Sequence, residues 1–255
     1  MKLQEKVAIV TGGDTGIGKA IATKFAQEGA RVVIDYRGDE QPAKSAVEEI
    51  ESFGGQAYAI EADIAQPDDV ARLIHEAVRH FGGLDAMINN AGVEEQHPFL
   101  EMPFETWRKV IDVDLTGAWL CSQAAAKQMA RQKRGGRIIN ISSVHEELTM
   151  PTNAPYCAAK GGLRMLMRTI AVELAPYNIT VNNVCPGAVD TPMDEKLKAD
   201  PKAYNALLNE IPLHRMARPE EIASMCAYLA SEEASYITGA SFVIDGGMTK
   251  KSGRL

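Results

Sequence analysis

An apolar run, a glycine-rich turn and an apolar-periodic helix follow one another at the start of the chain and constrain its fold more than any other feature. Val7-Ala8-Ile9-Val10 reads as a short buried strand. It leads into Thr11-Gly12-Gly13-Asp14-Thr15-Gly16-Ile17-Gly18, after which Ile21, Ala22, Phe25 and Ala26 recur at helical spacing. Strand, glycine turn and helix in this order place the helix N-terminus, with its N–H groups and positive dipole end, where a pyrophosphate can bind. Glycines belong where a Cβ would block the anion or the helix–strand contact. The spacing Gly12-x3-Gly16-x-Gly18 differs from Gly-x-Gly-x-x-Gly, and Lys19-Ala20 after Gly18 rules out a Gly-x4-Gly-Lys-Ser/Thr phosphate loop. A glycine-rich hairpin is the other reading, and the apolar helix directly after the turn argues against it.

The same alternation continues along the chain. Strands are expected at Val7–Thr11, Arg31–Asp35, Ala57–Ile60, Ala86–Asn89, Arg137–Ser142, Thr180–Cys185 and Ser241–Ile244. Helical patterns occupy Gly18–Glu28, Pro42–Phe53, Pro67–Phe81, Glu105–Gln132, Tyr156–Ala175 and Pro219–Ala230. Repeated βαβ units imply a doubly wound parallel sheet of about seven strands with helices on both faces, an α/β fold of Rossmann type. At 255 residues, with no internal repeat, low-complexity tract or linker, the chain reads as a single domain over 1–255. The longest stretch without an expected strand, Asp190–Arg218, is placed to act as a substrate lid beyond the strand ends.

A formal charge of −7, scattered rather than blocked, argues against nucleic acid or an anionic membrane as partner. Cys121, Cys157, Cys185 and Cys226 are too far apart for a redox or metal pair and fit a reducing cytoplasm. No metal-ligand spacing, membrane-length apolar run or signal peptide is present in the sequence.

Chemistry enters at Tyr156-Cys157-Ala158-Ala159-Lys160, with Ser143 upstream. Residues four apart share one helix face. A buried ammonium beside a phenol stabilises the phenolate and lowers the tyrosine pKa, so that the pair can move a proton at an alcohol or carbonyl oxygen. A hydroxyl such as Ser143 can hold that oxygen. Taken alone, Tyr-x3-Lys is also an ordinary start to an amphipathic helix.

Together with Thr11-Gly12-x3-Gly16-x-Gly18, Asp63-Ile64, Asn89-Asn90-Ala91-Gly92 and Pro186-Gly187 followed by Thr191, these residues resemble the short-chain dehydrogenase/reductase family over nearly the whole chain. Within that family, Val32-Val33-Ile34-Asp35-Tyr36-Arg37, Val93-Glu94, Ser142-Ser143-Val144-His145-Glu146 and Asp245-Gly246-Gly247-Met248-Thr249 are most similar to bacterial glucose 1-dehydrogenases. The resemblance implies an NAD(P)-dependent oxidoreductase acting on a secondary alcohol or sugar, with a carbonyl reductase of 3-oxoacyl or other ketones as the alternative. A non-catalytic dinucleotide sensor is disfavoured by the intact Ser143, Tyr156 and Lys160.

The resemblance further implies Tyr156 as acid/base, Lys160 as its electrostatic partner and ribose ligand, and Ser143 as anchor for the substrate oxygen. Gly12, Asp14, Thr15, Gly16, Ile17, Gly18, Arg37, Asp63, Ile64, Asn90, Ala91, Gly92, Pro186, Gly187, Val189 and Thr191 are the expected cofactor residues. Asp114 stands where the family usually has a catalytic asparagine; it is read either as part of the proton relay or as a helix-kink residue. Glu94, His145 and Glu146 are candidates for binding substrate hydroxyls, with solvated loop charge as the rival reading. Asp35 ends the second strand, about where an acid meets the ribose 2′-hydroxyl in NAD enzymes; alignment to the family instead puts the NAD-selecting position at Tyr36, which turns Asp35 to the other face, while Arg37 can pair a 2′-phosphate. NADP use is therefore expected, with NAD also usable. A homotetramer built partly on the helices of Glu105–Gln132 and Tyr156–Ala175 is implied by resemblance.

Overall fold

A computed structural model of the protein describes residues 1–192 and 195–250; positions 193 and 194 of the expected lid lie outside the described residues. Seven strands form one sheet: β1 (Val7–Val10), β2 (Arg31–Tyr36), β3 (Gln56–Glu61), β4 (Ala86–Asn89), β5 (Gly136–Ile141), β6 (Ile179–Pro186) and β7 (Ser241–Ile244). Their order is β3-β2-β1-β4-β5-β6-β7, and every pairing is parallel. The direction of strand progression reverses between β1 and β4, and this is where open α/β sheets leave a crevice at their carboxyl edge.

The helices are α1 (Gly16–Gln27), α2 (Gln41–Ser52), α3 (Pro67–Phe81), α4 (Phe104–Ile111), α5 (Ala118–Gln132), α6 (Ala154–Leu174), α7 (Glu195–Lys198), α8 (Pro201–Glu210) and α9 (Pro219–Ala230). Alternation along the strands distributes the core between two faces. Val10, Val32 and Ile34 pack with Ile21 and Phe25 of α1, Ile50 of α2 and Cys226 of α9. Ile9 and Val33 pack oppositely, with Leu73 of α3, Met129 of α5 and Met167 of α6.

The single helix expected over Glu105–Gln132 is interrupted. Asp112–Gly117 wind as a π-helix between α4 and α5. Two contacts fix this wider turn. The Asp114 carboxylate is drawn inward to the Val93 N–H at 2.8 Å, and Gly117 leaves room for Ile64, whose Cδ1 lies 2.9 Å from where a Cβ would stand. Such turns inside α-helices occur frequently at functional sites.

The first glycine turn is stitched to the end of β4. The Thr11 hydroxyl accepts from the N–H groups of Asn90 and Ala91, at 2.9 and 3.1 Å. The Asn90 amide donates to the Thr11 and Gly12 carbonyls, both at 2.9 Å. Gly18 lies beneath this knot: a Cβ there would stand 2.0 Å from the Gly12 oxygen and 2.5 Å from Asn90 Nδ2. Gly18→Ala should therefore destabilise the protein by about 3 kcal/mol through overpacking. Chemical denaturation measures this, and an unchanged unfolding midpoint would refute it.

Candidate active site

At the switch point the strand ends open onto a cavity of about 750 Å³. Gly12, Asp14, Thr15, Gly16 and Ile17 line it, as do Arg37, Asp63 and Ile64. Asn90, Ala91 and Gly92 after β4, and Pro186, Gly187, Val189 and Thr191 after β6, also line it. Ser143, Tyr156, Lys160, Asp114, Glu94 and His145 complete the set drawn from the sequence. Two expected residues do not line it. Gly18 serves the packing of α1 against the turn. Glu146 is buried, and its carboxylate accepts from Ser142 Oγ at 2.8 Å and Asn183 Nδ2 at 3.0 Å, so it turns away from any substrate.

Asp35 is a second correction. It lines the cavity, whereas Tyr36 packs with Ile34 in the α1/α2 layer. The parity of β2 decides this: Asp35 shares the face of Val33, and the crevice opens on that face. Asp35 Oδ2 accepts from the Gly12 N–H at 3.3 Å, while its buried Oδ1 has no partner. Burial holds its carboxyl well above the usual carboxylate value, and Asp14, Asp69 and Asp63 add to that against the Gly12 N–H. Beside it, Arg37 pairs with Asp63 at 3.1 Å.

These residues fit a dinucleotide. Gly16 opens α1 at φ +52°, a conformation in which a side chain is strained, and no side chain caps the helix. The helix N-terminus therefore faces the cavity through Thr15, Gly16 and Ile17, as anion binding requires. Asp35 Oδ1 offers an unused acceptor for a ribose hydroxyl.

At the other end, α6 brings Tyr156 and Lys160 onto one face. Lys160 Nζ lies 5.3 Å from the Tyr156 ring centroid, donates to the Ile141 carbonyl at 3.2 Å and lies 3.2 Å from Asp114 Oδ2. The Ser143 hydroxyl accepts from the His145 N–H at 3.2 Å and lines the same wall of the cavity as Tyr156. The walls beyond these groups differ in character. Glu94 and His145 are polar; Met150, Leu207 of α8, Leu197 of α7 and Met248 are apolar. No sequence motif marks Met150, Leu197 or Leu207, of which the last two fall in the Asp190–Arg218 stretch, while Met248 belongs to the Asp245-Gly246-Gly247-Met248-Thr249 segment after β7.

Residues 12–249 match the protein family described as enoyl-(acyl carrier protein) reductase. The 3β-hydroxysteroid dehydrogenase 1 of Eggerthella lenta is 42% identical over 247 residues, 97% of this chain and 95% of the relative. Glucose 1-dehydrogenase 2 of Bacillus subtilis is 41% identical over 249 residues, 97% of this chain and 96% of the relative. A crystal structure of a short-chain type dehydrogenase/reductase from Mycobacterium marinum aligns with a TM-score of 0.93 at 38% identity, covering 98% of both chains. The chain belongs to the short-chain dehydrogenase/reductase family. It is an oxidoreductase acting on CH–OH groups.

For a member of this family the buried acid at position 114 changes the electrostatics of the site. Burial pulls the Lys160 ammonium down, but Asp114 and then Tyr156 outweigh it and hold Lys160 above its ordinary value. Burial lifts the Asp114 carboxyl, opposed by Lys160 and by the Val93 N–H. The ammonium at 3.2 Å favours the ionised carboxylate and burial opposes it. Burial also raises the Tyr156 phenol; Lys160 and the Ser143 hydroxyl pull it down, and Asp114 and Glu94 push it up. Lys160 thus lowers the phenol in the expected direction, while burial and the Asp114 carboxylate beside the lysine oppose it.

The sign of a substitution follows. Asp114→Asn removes a charge that disfavours the phenolate, so the rising limb of kcat against pH, measured in the direction of alcohol oxidation, should move to lower pH. The amide keeps the size of the side chain, and turnover at the new optimum should remain within about tenfold. A shift to higher pH would mean instead that Lys160 loses its proton without Asp114.

Proposed function

We propose that the protein transfers hydride between a nicotinamide dinucleotide and a sugar or other secondary alcohol, with an aldose such as D-glucose as the leading substrate. The convergence of Ser143, Tyr156 and Lys160 at one end of a cavity whose other end carries the α1 N-terminus and Asp35 supports this reading most directly. Bound along that cavity, the nicotinamide would accept the hydride lost by the alcohol carbon. The remaining work falls to the protein. Ser143 holds the substrate oxygen beside the phenol. Tyr156, as phenolate, takes the hydroxyl proton, and Lys160 stabilises the negative charge that precedes the transfer. In reduction the phenol returns the proton to the carbonyl oxygen.

Glu94 and His145 favour a polyhydroxylated ligand, since each can accept or donate to sugar hydroxyls. The apolar wall of Met150, Leu197, Leu207 and Met248 supports a second reading, a bulky apolar secondary alcohol or ketone, and the steroid dehydrogenase relative agrees with it. Phe104, Trp119, Met165 and Val172 expose large apolar surface on α4, α5 and α6, which supports assembly as a homotetramer through those helices.

For the cofactor, three carboxylates, Asp14, Asp35 and Asp63, gather around the end of the cavity that Arg37 flanks. This balance favours NAD. A 2′-phosphate must draw Arg37 away from Asp63, so NADP is accepted more weakly.

Two measurements test these assignments. With D-glucose and a panel of alcohols and hydroxysteroids, the absorbance of reduced cofactor should rise with the wild-type protein. Tyr156→Phe should lose about 10²–10⁴-fold in kcat while still binding NADH. A phenylalanine variant within a few-fold of wild type would remove Tyr156 from the reaction. Separately, Arg37→Ala should weaken NADP binding by about tenfold or more, and NAD little, because one charge-assisted phosphate contact is lost. Equal losses for both dinucleotides would contradict the role given to Arg37.

A further inference from the structure

Among the described residues, Glu146 is a buried acid near the site that the reaction does not use. It closes the short turn Val144–Glu146, directly after Ser143, and is 9% exposed. Its carboxylate joins three elements. Oε2 accepts from Ser142 at the end of β5 and from Asn183 of β6, and Oε1 lies 3.7 Å from Arg164 Nε of α6. Arg164 stands one helical turn beyond Lys160 and two beyond Tyr156, and its Nη2 also pairs with Glu147 at 2.6 Å.

Behind Glu146 lies a row of amides at one level of the sheet. Asn89, Asn140 and Asn183 are directly paired in register across β4, β5 and β6. The Asn140 amide donates to Asn183 Oδ1 at 2.9 Å, and the Asn89 amide donates to Asn140 Oδ1 at 2.7 Å and to Ser122 of α5 at 2.8 Å. A continuous buried chain of hydrogen bonds thus runs under the site from α5 to the turn that carries Ser143. Such networks hold their members rigidly when every link is made.

We propose that Glu146 is a positioning residue: by anchoring Ser142 and Asn183 and facing Arg164, it fixes the Ser143 turn against α6 so that the Ser143 and Tyr156 hydroxyls converge on one substrate oxygen. The proposal rests on the reading of Tyr156 as the proton-transfer group. Geometry supports a large effect from an indirect contact, because misplacement of about 1 Å can cost roughly 10²-fold in rate. The Ser143 hydroxyl beside Tyr156 favours the phenolate, so loosening the turn has an electrostatic signature as well as a kinetic one.

The test is Tyr156 ionisation, which needs no substrate. It is followed as the ultraviolet difference between each protein and its own Tyr156→Phe counterpart, with saturating NAD. The phenol is faced by Lys160 on its own helix, Asp114 from the π turn, Glu94 after β4 and His145 after β5; all four are retained. Glu146→Ala should move the Tyr156 titration to higher pH as the Ser143 hydroxyl moves away from the phenol, with NADH affinity within about twofold of wild type. Loss of the negative charge alone would move it the other way. Glu146→Gln keeps an acceptor for both Ser142 and Asn183 but loses the charge, so its titration should lie at or slightly below the wild-type pH and show none of the upward shift.

On whichever alcohol the wild type oxidises, Glu146→Ala should lose about tenfold or more in kcat, and Glu146→Gln less than about threefold. If Glu146→Ala does not fold, Ser142→Ala removes one anchor and should give a smaller shift of the same sign. An unshifted titration in Glu146→Ala or Ser142→Ala, or equal impairment of Glu146→Gln and Glu146→Ala, would overturn the proposal. Full turnover by Tyr156→Phe would instead sink the reading beneath it.

Discussion

The site depends on how closely two backbones approach at the ends of β1 and β4. These strands are neighbours in the sheet, yet their chains leave it in opposite directions, and the crevice exists because they part there. Thr11 and Asn90 close the parting from below with four hydrogen bonds, in which one hydroxyl accepts two N–H groups and one amide donates to two carbonyls. The arrangement leaves no space for a Cβ at Gly18. Because the knot satisfies the backbone groups of the turn internally, the start of α1 is left to face the cavity rather than fold back on it.

Burial decides the electrostatics at the opposite end. A lysine as enclosed as Lys160 holds its proton only if something compensates the loss of water, and Asp114 does so. The compensation is shared: a carboxylate that satisfies the ammonium also acts on the phenol beside it. Lys160 therefore stabilises the phenolate less here than it would next to a neutral amide. The π turn is the structural cause, since it carries the Asp114 side chain to Lys160 and to the Val93 N–H together.

Much of this was legible in the sequence. All seven strands lie where short, mostly apolar runs stand between helical patterns, displaced by no more than a residue or so at their ends, because the strands of a parallel sheet covered by helices are predominantly apolar. The glycine turn and the Tyr156–Lys160 spacing could be read because their geometry is local. What escaped depends on contacts distant in sequence. No periodicity signals the π turn, which exists because Ile64, Val93 and Lys160 meet the 112–117 segment from elsewhere. The side of β2 on which ligands lie is a property of the sheet order, so alignment alone points Asp35 away from the crevice that it lines. Glu146 sits in a motif-rich segment, and only the register of Asn140 and Asn183 reveals that its carboxylate is already taken.

The Asp190–Arg218 segment contrasts with this interlocked interior. Helix α8 buries no residue fully, although Leu207 reaches the cavity, and its N-terminus is capped locally by Asp200 through the N–H groups of Lys202 and Ala203. A helix that takes its order from its own cap and contributes little to the core can be rewritten without disturbing the sheet. The substrate-facing wall is thus the evolvable part of the molecule. Exchanging a few side chains such as Leu207 would alter what the cavity admits at almost no cost to folding. This gives a physical route by which a single scaffold comes to be shared by relatives whose names refer to molecules as unlike as a sugar and a steroid.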